Sequence, residues 1–282
     1  MSKIALITDT TADLTEEVIK KYNIKVLPFR IIYKDREYKD KIEITPEQVY
    51  DELPNEVPTS SLPSMNDMDE IFTKLKEEGY THAVAITLSS GLSGISNAVK
   101  LVSENHENIT TYVCDSKSIS LGEGILVEEC GKMIEAGKSF EEIVNTLPSL
   151  VKKSHVFFVV KTLEYLKKGG RIGRVAGTIG QLLNIKPIIS IGEDGKYFTY
   201  DKVRGRKQSL SKLLNIFKEV TQGKKCDVYV MHGNGYKDAQ GVYEEISKLD
   251  SVKSIQFGGQ ISPVSGMHSG PGLVGLAFIE KE

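Results

Sequence analysis

Along the chain, short unbroken apolar runs alternate with stretches of helical period. The runs Ile4 to Thr8, Val26 to Tyr33, His82 to Leu88 and Thr111 to Asp115 predict strands, being short, apolar and bounded by polar turns. Met65 to Leu75 and Ile95 to Ser103 instead repeat their apolar positions at three- and four-residue intervals and predict amphipathic helices. Strands alternating with helices in this way indicate an α/β fold with a largely parallel sheet. From Glu123 to Val151 two helical stretches follow, broken at Gly137-Lys138-Ser139, where Ser139 and Glu142 have the spacing of a capping box.

The second half opens on Val156 to Val160. A short helix around Leu163 to Lys167, a turn at Gly169-Gly170-Arg171-Ile172 and a helix from about Val175 to Leu183 are expected next. Pro187 to Ile191 and Tyr197 to Val203 pair naturally as a hairpin across the turn from Gly192 to Gly195, which makes the second sheet mixed or antiparallel. A helix from Ser209 to Val220, a strand from Asp227 to His232, a helix from Tyr236 to Leu249, and strands at Ile255 and from Leu273 to Ile279 complete the pattern. The 282 residues suit two compact units. We place an N-terminal α/β domain over 1–154 and a C-terminal α/β domain over 155–282.

Charge and composition narrow the function. Lys and Arg number 36 against 38 acidic residues, so no basic field exists to attract nucleic acid or anionic lipid. Cys114, Cys130 and Cys226 have no C-x-x-C spacing, and an odd number fits reduced core thiols better than a disulfide framework. No apolar run approaches the roughly 18–20 residues of a membrane span, and the N-terminus shows no signal-peptide pattern. A cytoplasmic protein is expected.

The first candidate for chemistry is Leu88-Ser89-Ser90-Gly91-Leu92-Ser93-Gly94, which ends a strand and leads into a helix. Unpaired N–H groups and about half a positive charge gather at a helix N-terminus, so with the Ser93 hydroxyl this loop suits an anion, and Gly94 lets it approach. Phosphate and carboxylate fit equally, and a plain cap by Ser93 fits too. Pro58-Thr59-Ser60-Ser61-Leu62-Pro63 sets three hydroxyls in a proline-bounded loop before a helix. Asp9-Thr10 and Asp115-Ser116 fall where strands end, the rim on which open α/β sheets collect ligands.

His268 lies in a flexible, glycine-dense turn and is the strongest of the five histidines, with His232 second. Arg171, after Gly169-Gly170, presents a guanidinium fork suited to carboxylate or phosphate. No Cys/His cluster has transition-metal spacing.

Taken together, six segments resemble the DegV family of bacterial fatty-acid-binding proteins. They are the proline-bounded hydroxyl string, Ser89 to Gly94, Asp115-Ser116, Leu166 to Ile172, Leu183-Asn184-Ile185-Lys186-Pro187 and His268-Ser269-Gly270-Pro271-Gly272. The resemblance runs from Ile4 to Phe278. It implies a long-chain fatty acid such as palmitate or oleate in a tunnel between two α/β domains. Ser93, Gly94 and a hydroxyl of the Ser60-Ser61 pair would hold the carboxylate, with Arg171 and His268 completing the polar end. The chain departs from the family where the usual Thr-Ser-Gln-Pro reads Ser60-Ser61-Leu62-Pro63 and where Ile95 replaces a common Thr.

The resemblance further implies a non-catalytic role. The bound fatty acid is presented to a separate fatty acid kinase, and the acyl phosphate enters phospholipid synthesis. No cofactor or metal is expected beyond the lipid. Ser93 has no assignable base except the distant His268, which argues against a hydrolase. The alternative is an enzyme of a small phosphorylated metabolite, with Asp9, Asp13 and Asp115 holding Mg²⁺. Arg204-Gly205-Arg206-Lys207 is a candidate basic surface for docking the kinase.

Overall fold

The computed structural model describes residues 3–178 and 184–281. Its first sheet has strands in the order β2 (Lys25–Leu27), β1 (Ile4–Asp9), β6 (His82–Thr87), β7 (Thr110–Asp115), all parallel. β1 and β6 are central and alternate between two cores. Leu6, Val84 and Ile86 face one side, and Ala5, Ile7, Ala83 and Ala85 face the other. The chain leaves β1 toward one edge and returns to β6 on the other flank. The carboxyl ends of β1 and β6 therefore frame a switch-point crevice, where ligands of such sheets bind.

The run Val26 to Tyr33 divides rather than forming one strand. Pro28, which has no N–H to give a ladder, separates β2 from β3 (Arg30–Ile32). β3 pairs instead with β4 (Glu37–Lys39) and β5 (Thr59–Ser61) in a small antiparallel sheet. The hydroxyl string is thus a strand, not a loop, and Ser64 rather than Ser60 or Ser61 caps the following helix α3 (Met65–Glu77), through a capping box with Asp67.

The second sheet runs β10 (Tyr197–Arg204), β9 (Ile185–Ile191), β8 (Ser154–Val159), β13 (Leu273–Lys281), β11 (Lys225–Gly233), β12 (Val252–Gln260). β11 and β12 pair in parallel and the other neighbours antiparallel, so the sheet is mixed. Alternation decides its faces. Phe157, Val159, Val228, Val230, Leu276 and Phe278 pack in a core that also takes Leu213, Phe217, Val242 and Ile246 from α8 (Arg206–Val220) and α9 (Tyr236–Ile246). Val156, Phe158, Met231 and Leu273 look toward the parallel sheet and join a core that the two sheets share. Helix α5 (Leu121–Glu135) is wedged between the sheets, with Ile125 in the shared core and Leu126, Val127 and Cys130 in the core behind the parallel sheet.

The hairpin of β9 and β10 docks its tip on the loop after β6. Ser89 Oγ donates to the Gly195 carbonyl at 2.8 Å, and a Cβ on Gly91 would stand 2.3 Å from the Gly195 carbonyl carbon. Glycine is required there because two backbones touch. Within the expected helix from Val175, Gly173–Thr178 is a 3-10 turn, and residues 179–183, including Leu183 of the fifth segment, lie outside the described residues. All three cysteines are buried and free, as expected. Among the described residues no helix is long and apolar enough to cross a membrane.

Candidate functional site

A slender cavity lies between the two sheets, above the switch-point crevice. Its volume is about 70 Å³, on a scale where one water needs about 10–15 Å³. Leu88, Phe158, Met231, Ile261 and Val264 give it apolar walls, and Gly275 contributes a stretch of β13 without a side chain. Its polar residues include Ser60, Ser93, Arg171 and His268, four of the six side chains and glycines expected from the sequence. Ser60, Ser93 and Arg171 are half-buried, while Val156, Phe158 and Met231 are buried, so one end reaches toward solvent and the other closes on the second sheet.

Strand alternation selects between the paired serines. Along β5 Ser60 turns inward, and Ser61 is exposed and donates its hydroxyl to the Leu62 carbonyl at 3.3 Å. Ser61 is therefore outside the cavity. Gly94 is the exposed N-cap residue of α4 (Ile95–Ser103) and does not line the cavity; a Cβ there would meet only Leu62 Cδ1 at 3.9 Å. Ser93 precedes that N-cap, and its Oγ accepts the Ile95 N–H at 3.3 Å, so the hydroxyl faces the cavity and keeps its proton to donate.

His268 sits in a helix rather than a flexible turn. Pro263 and the capping Ser262, which accepts the Ser265 N–H, start α10 (Pro263–Ser269), and His268 occupies its last turn. Its Nε2 is 2.8 Å from Ser60 Oγ, and its Nδ1 is buried without a partner. A bare lone pair is a less costly orphan than a bare N–H, which favours the tautomer protonated at Nε2. His268 then donates to Ser60, and Ser60 directs its own proton at an anion. Burial, reinforced by the Arg171 charge, lowers the His268 pKa to about 4, so the ring is neutral at physiological pH.

Two glycines let this imidazole pack. A Cβ on Gly169 would stand 2.1 Å from His268 Nδ1, and one on Gly270 would stand 2.1 Å from the Tyr165 ring. The loop after α7 (Glu164–Lys168) therefore lies directly against α10. Arg171 is anchored in it by Nη1 to the Gly169 carbonyl at 2.7 Å, with Nε reaching the Leu92 carbonyl at 3.4 Å. Nη2 donates to no described residue and remains for the cavity.

Sequence reasoning missed the carboxylates that hold α10. Asp13 Oδ1 accepts the Ser262 N–H at 2.7 Å and Asp40 Oδ1 accepts the Val264 N–H at 3.0 Å, satisfying donors that a helix start leaves unpaired. Both are buried, and burial raises both pKa values, that of Asp40 to about 7. Asp9, also buried, is pushed to about 6 while accepting from Leu88 and Thr11, and Glu123, bonded to Thr8 and Thr11, is raised well above the usual range by the same desolvation. Asp40 reads as one more acid in a charged surface stretch, and nothing local marks it as buried.

The acids of the Mg²⁺ alternative are not assembled. Asp13 serves α10 and Ser120, Asp9 serves Leu88 and Thr11, and Asp115 accepts from Ser90 and Lys117. Among the described residues no group of three His, Cys, Asp or Glu side chains is placed to hold a metal ion. His232, the second histidine, accepts the Gly235 N–H at Nδ1 and packs on Tyr236 and Phe257. Of the basic cluster, Arg204 is exposed, whereas Arg206 turns inward to Asp238 and the Gly272 carbonyl.

The family model described as "Uncharacterised protein, DegV family" matches residues 3–281. The chain belongs to the DegV family. A DegV domain-containing protein of Clostridium acetobutylicum is 59% identical over 281 residues, with 100% of each chain covered. Among solved DegV structures, a fatty acid binding DegV family protein of Streptococcus agalactiae superposes with a TM-score of 0.90 at 33% identity, covering 100% of both chains. DegV of Bacillus subtilis, described as a fatty acid binding protein, gives 0.91 at 28% identity, again over 100% of both. A stearic acid-binding protein of Eubacterium ventriosum gives 0.88 at 28%, over 100% of this chain and 99% of that one.

Proposed function

We propose that this protein binds one long-chain fatty acid, such as palmitate or oleate, in the cavity between its sheets. The carrying observation is the cavity's lining: apolar walls, with Ser60, Ser93, a neutral imidazole and a guanidinium brought together, while the hydroxyls of Thr11, Ser120, Ser265 and Ser269 are bonded within the protein. Each buried methylene contributes about 0.8 kcal/mol, so a chain of roughly sixteen carbons supplies ample gross affinity before ordering and desolvation costs. The hydroxyls of Ser60 and Ser93 then orient the carboxylate, and Arg171 supplies compensating charge. DegV relatives that bind fatty acids with the same fold support this reading.

The protein acts as a carrier in the cytoplasm rather than as an enzyme. His268 is spent on Ser60 and its second nitrogen has no orienting acid, and among the described residues no charge relay reaches Ser93. The half-buried headgroup is offered to a separate fatty acid kinase, and the acyl phosphate so formed feeds phospholipid synthesis. The unit that carries this role comprises the two domains divided near Ser154, where α6 (Phe140–Lys153) gives way to β8.

Lipid extraction with mass spectrometry, alongside a native mass spectrum, tests the binding. One long-chain fatty acid per chain is expected; a protein that is empty and takes up neither added oleate nor palmitate overturns the proposal. Acyl phosphate formed by the loaded protein and ATP alone would overturn the carrier role.

A further inference from the structure

A second cleft, of about 450 Å³, opens on the far side of the Gly272–Leu273 backbone. Leu273 faces the apolar cavity, and Gly272 faces this cleft. Lys161, Lys186, Arg206 and Lys237 line it, against the single carboxylate of Asp238. Helix α9 begins there. Gly235 caps it without a side chain, so the N–H groups of its first turn have no intrahelical partner and add positive potential.

The cations are incompletely used. Arg206 Nε donates to Asp238 Oδ2 at 2.9 Å and Nη2 to the Gly272 carbonyl at 2.7 Å, but Nη1 is buried and unpartnered. A buried donor without an acceptor is costly and calls for an explanation. Among the described residues Lys186 Nζ donates only to the Lys161 carbonyl, at 2.6 Å. Burial and then the charges of Arg206 and Lys161 lower its pKa, a repulsion that an anion would relieve. Among the described residues the ammonium groups of Lys161 and Lys237 pair with no carboxylate. Tyr236, 60% exposed, adds an open aromatic ring to the rim.

We propose that this cleft binds the phosphate group of a small soluble phosphate monoester, independently of the lipid cavity. Four cations, Lys161, Lys186, Arg206 and Lys237, and a helix N-terminus converge on one concave surface, the positive cradle a dianionic phosphate requires. The cleft exceeds the size of a bare phosphate, and Tyr236 offers a face for the organic part.

Titration calorimetry with phenyl phosphate and with inorganic phosphate, at fixed ionic strength, tests this. One saturable site is expected, with phenyl phosphate binding more tightly. The double variant Lys161→Gln/Lys237→Gln weakens it at least tenfold, and the Lys186 ammonium titrates at higher pH in the saturated protein. Oleate uptake, read on the same preparations, is unchanged in the variant, so failure of the fatty acid reading leaves this test intact. Absence of saturation at millimolar ligand, or equal affinity in the variant, overturns the site. So does binding to phosphatidylglycerol vesicles that phenyl phosphate does not displace, which would assign the cations to a lipid headgroup.

Discussion

The Ser60 hydroxyl and the His268 Nε2 lie 2.8 Å apart although 208 residues separate them along the chain. Ser60 comes from a strand of the small sheet and His268 from a short helix pinned by buried acids. Neither group is useful alone. The imidazole orients the hydroxyl, and the hydroxyl gives the imidazole its one partner.

This pairing makes the two residues energetically coupled. Ser60→Ala and His268→Ala should each lower fatty acid affinity about tenfold, equivalent to ~1.4 kcal/mol. The double variant should lose much less than the product of the two, because removing either already breaks the relay. Ser61→Ala, outside the cavity, should bind as the parent does. Displacement of a fluorescent fatty acid measures all four, and full additivity would refute the coupling.

Adjacent glycines provide a contrast. At Gly169 a methyl group would collide with His268 Nδ1, so Gly169→Ala should displace the ring and weaken fatty acid binding tenfold or more. At Gly170 there is open space, and only the left-handed backbone, φ +70°, opposes a side chain. Gly170→Ala should therefore cost about 1 kcal/mol of stability and leave binding nearly unchanged. Comparing melting temperature with affinity for the two variants separates strain from collision.

Gly275 should set the length of chain accepted. A Cβ there makes only ordinary contacts, the nearest being Met231 Sδ at 3.5 Å, so the fold tolerates it. A larger side chain projects into the cavity. Gly275→Val should shift the lipids recovered from the protein toward shorter chains, by about two carbons or more, since each excluded methylene forfeits about 0.8 kcal/mol. An unchanged acyl profile would place the chain elsewhere.

Stability should depend on Asp40 across mildly acidic pH. Its folded pKa, about 7, lies above the ordinary 3.8, so the folded state binds the extra proton. The resulting stabilisation is present in full below pH ~4 and is lost as pH rises toward 7. Asp40→Asn keeps an oxygen for the Val264 N–H and carries no charge. Relative to the parent it should gain stability between pH 4 and pH 7, seen as melting curves that diverge with rising pH. His268 acts in the opposite sense. Its depressed pKa removes stability as pH falls from about 6.5 toward 4, and that loss should persist in the Asp40 variant.

Much of the fold was legible locally. The Ile95–Ser103 helix, the Ser139–Glu142 capping box and the hairpin across Gly192 to Gly195 form as their periodicity and turn residues predict. Local rules failed where a neighbour outweighed them. Pro28 ended one ladder and released β3 to another sheet, and the Ser60 string became a strand because β3 was there to pair with it.

The sequence by itself determined the alternation of strand and helix, the mixed character of the second sheet, the buried thiols and the residue types able to meet an anion. Those properties depend on neighbours a few positions apart. Only the tertiary structure decided that Ser60 rather than Ser61 faces the cavity, that Asp13 and Asp40 hold the helix of His268, and that Arg206 turns inward while Arg204 stays exposed. Each of these outcomes depends on contacts between segments distant in the chain. Burial and pairing there reverse what a residue's own polarity implies, and periodicity carries no record of them.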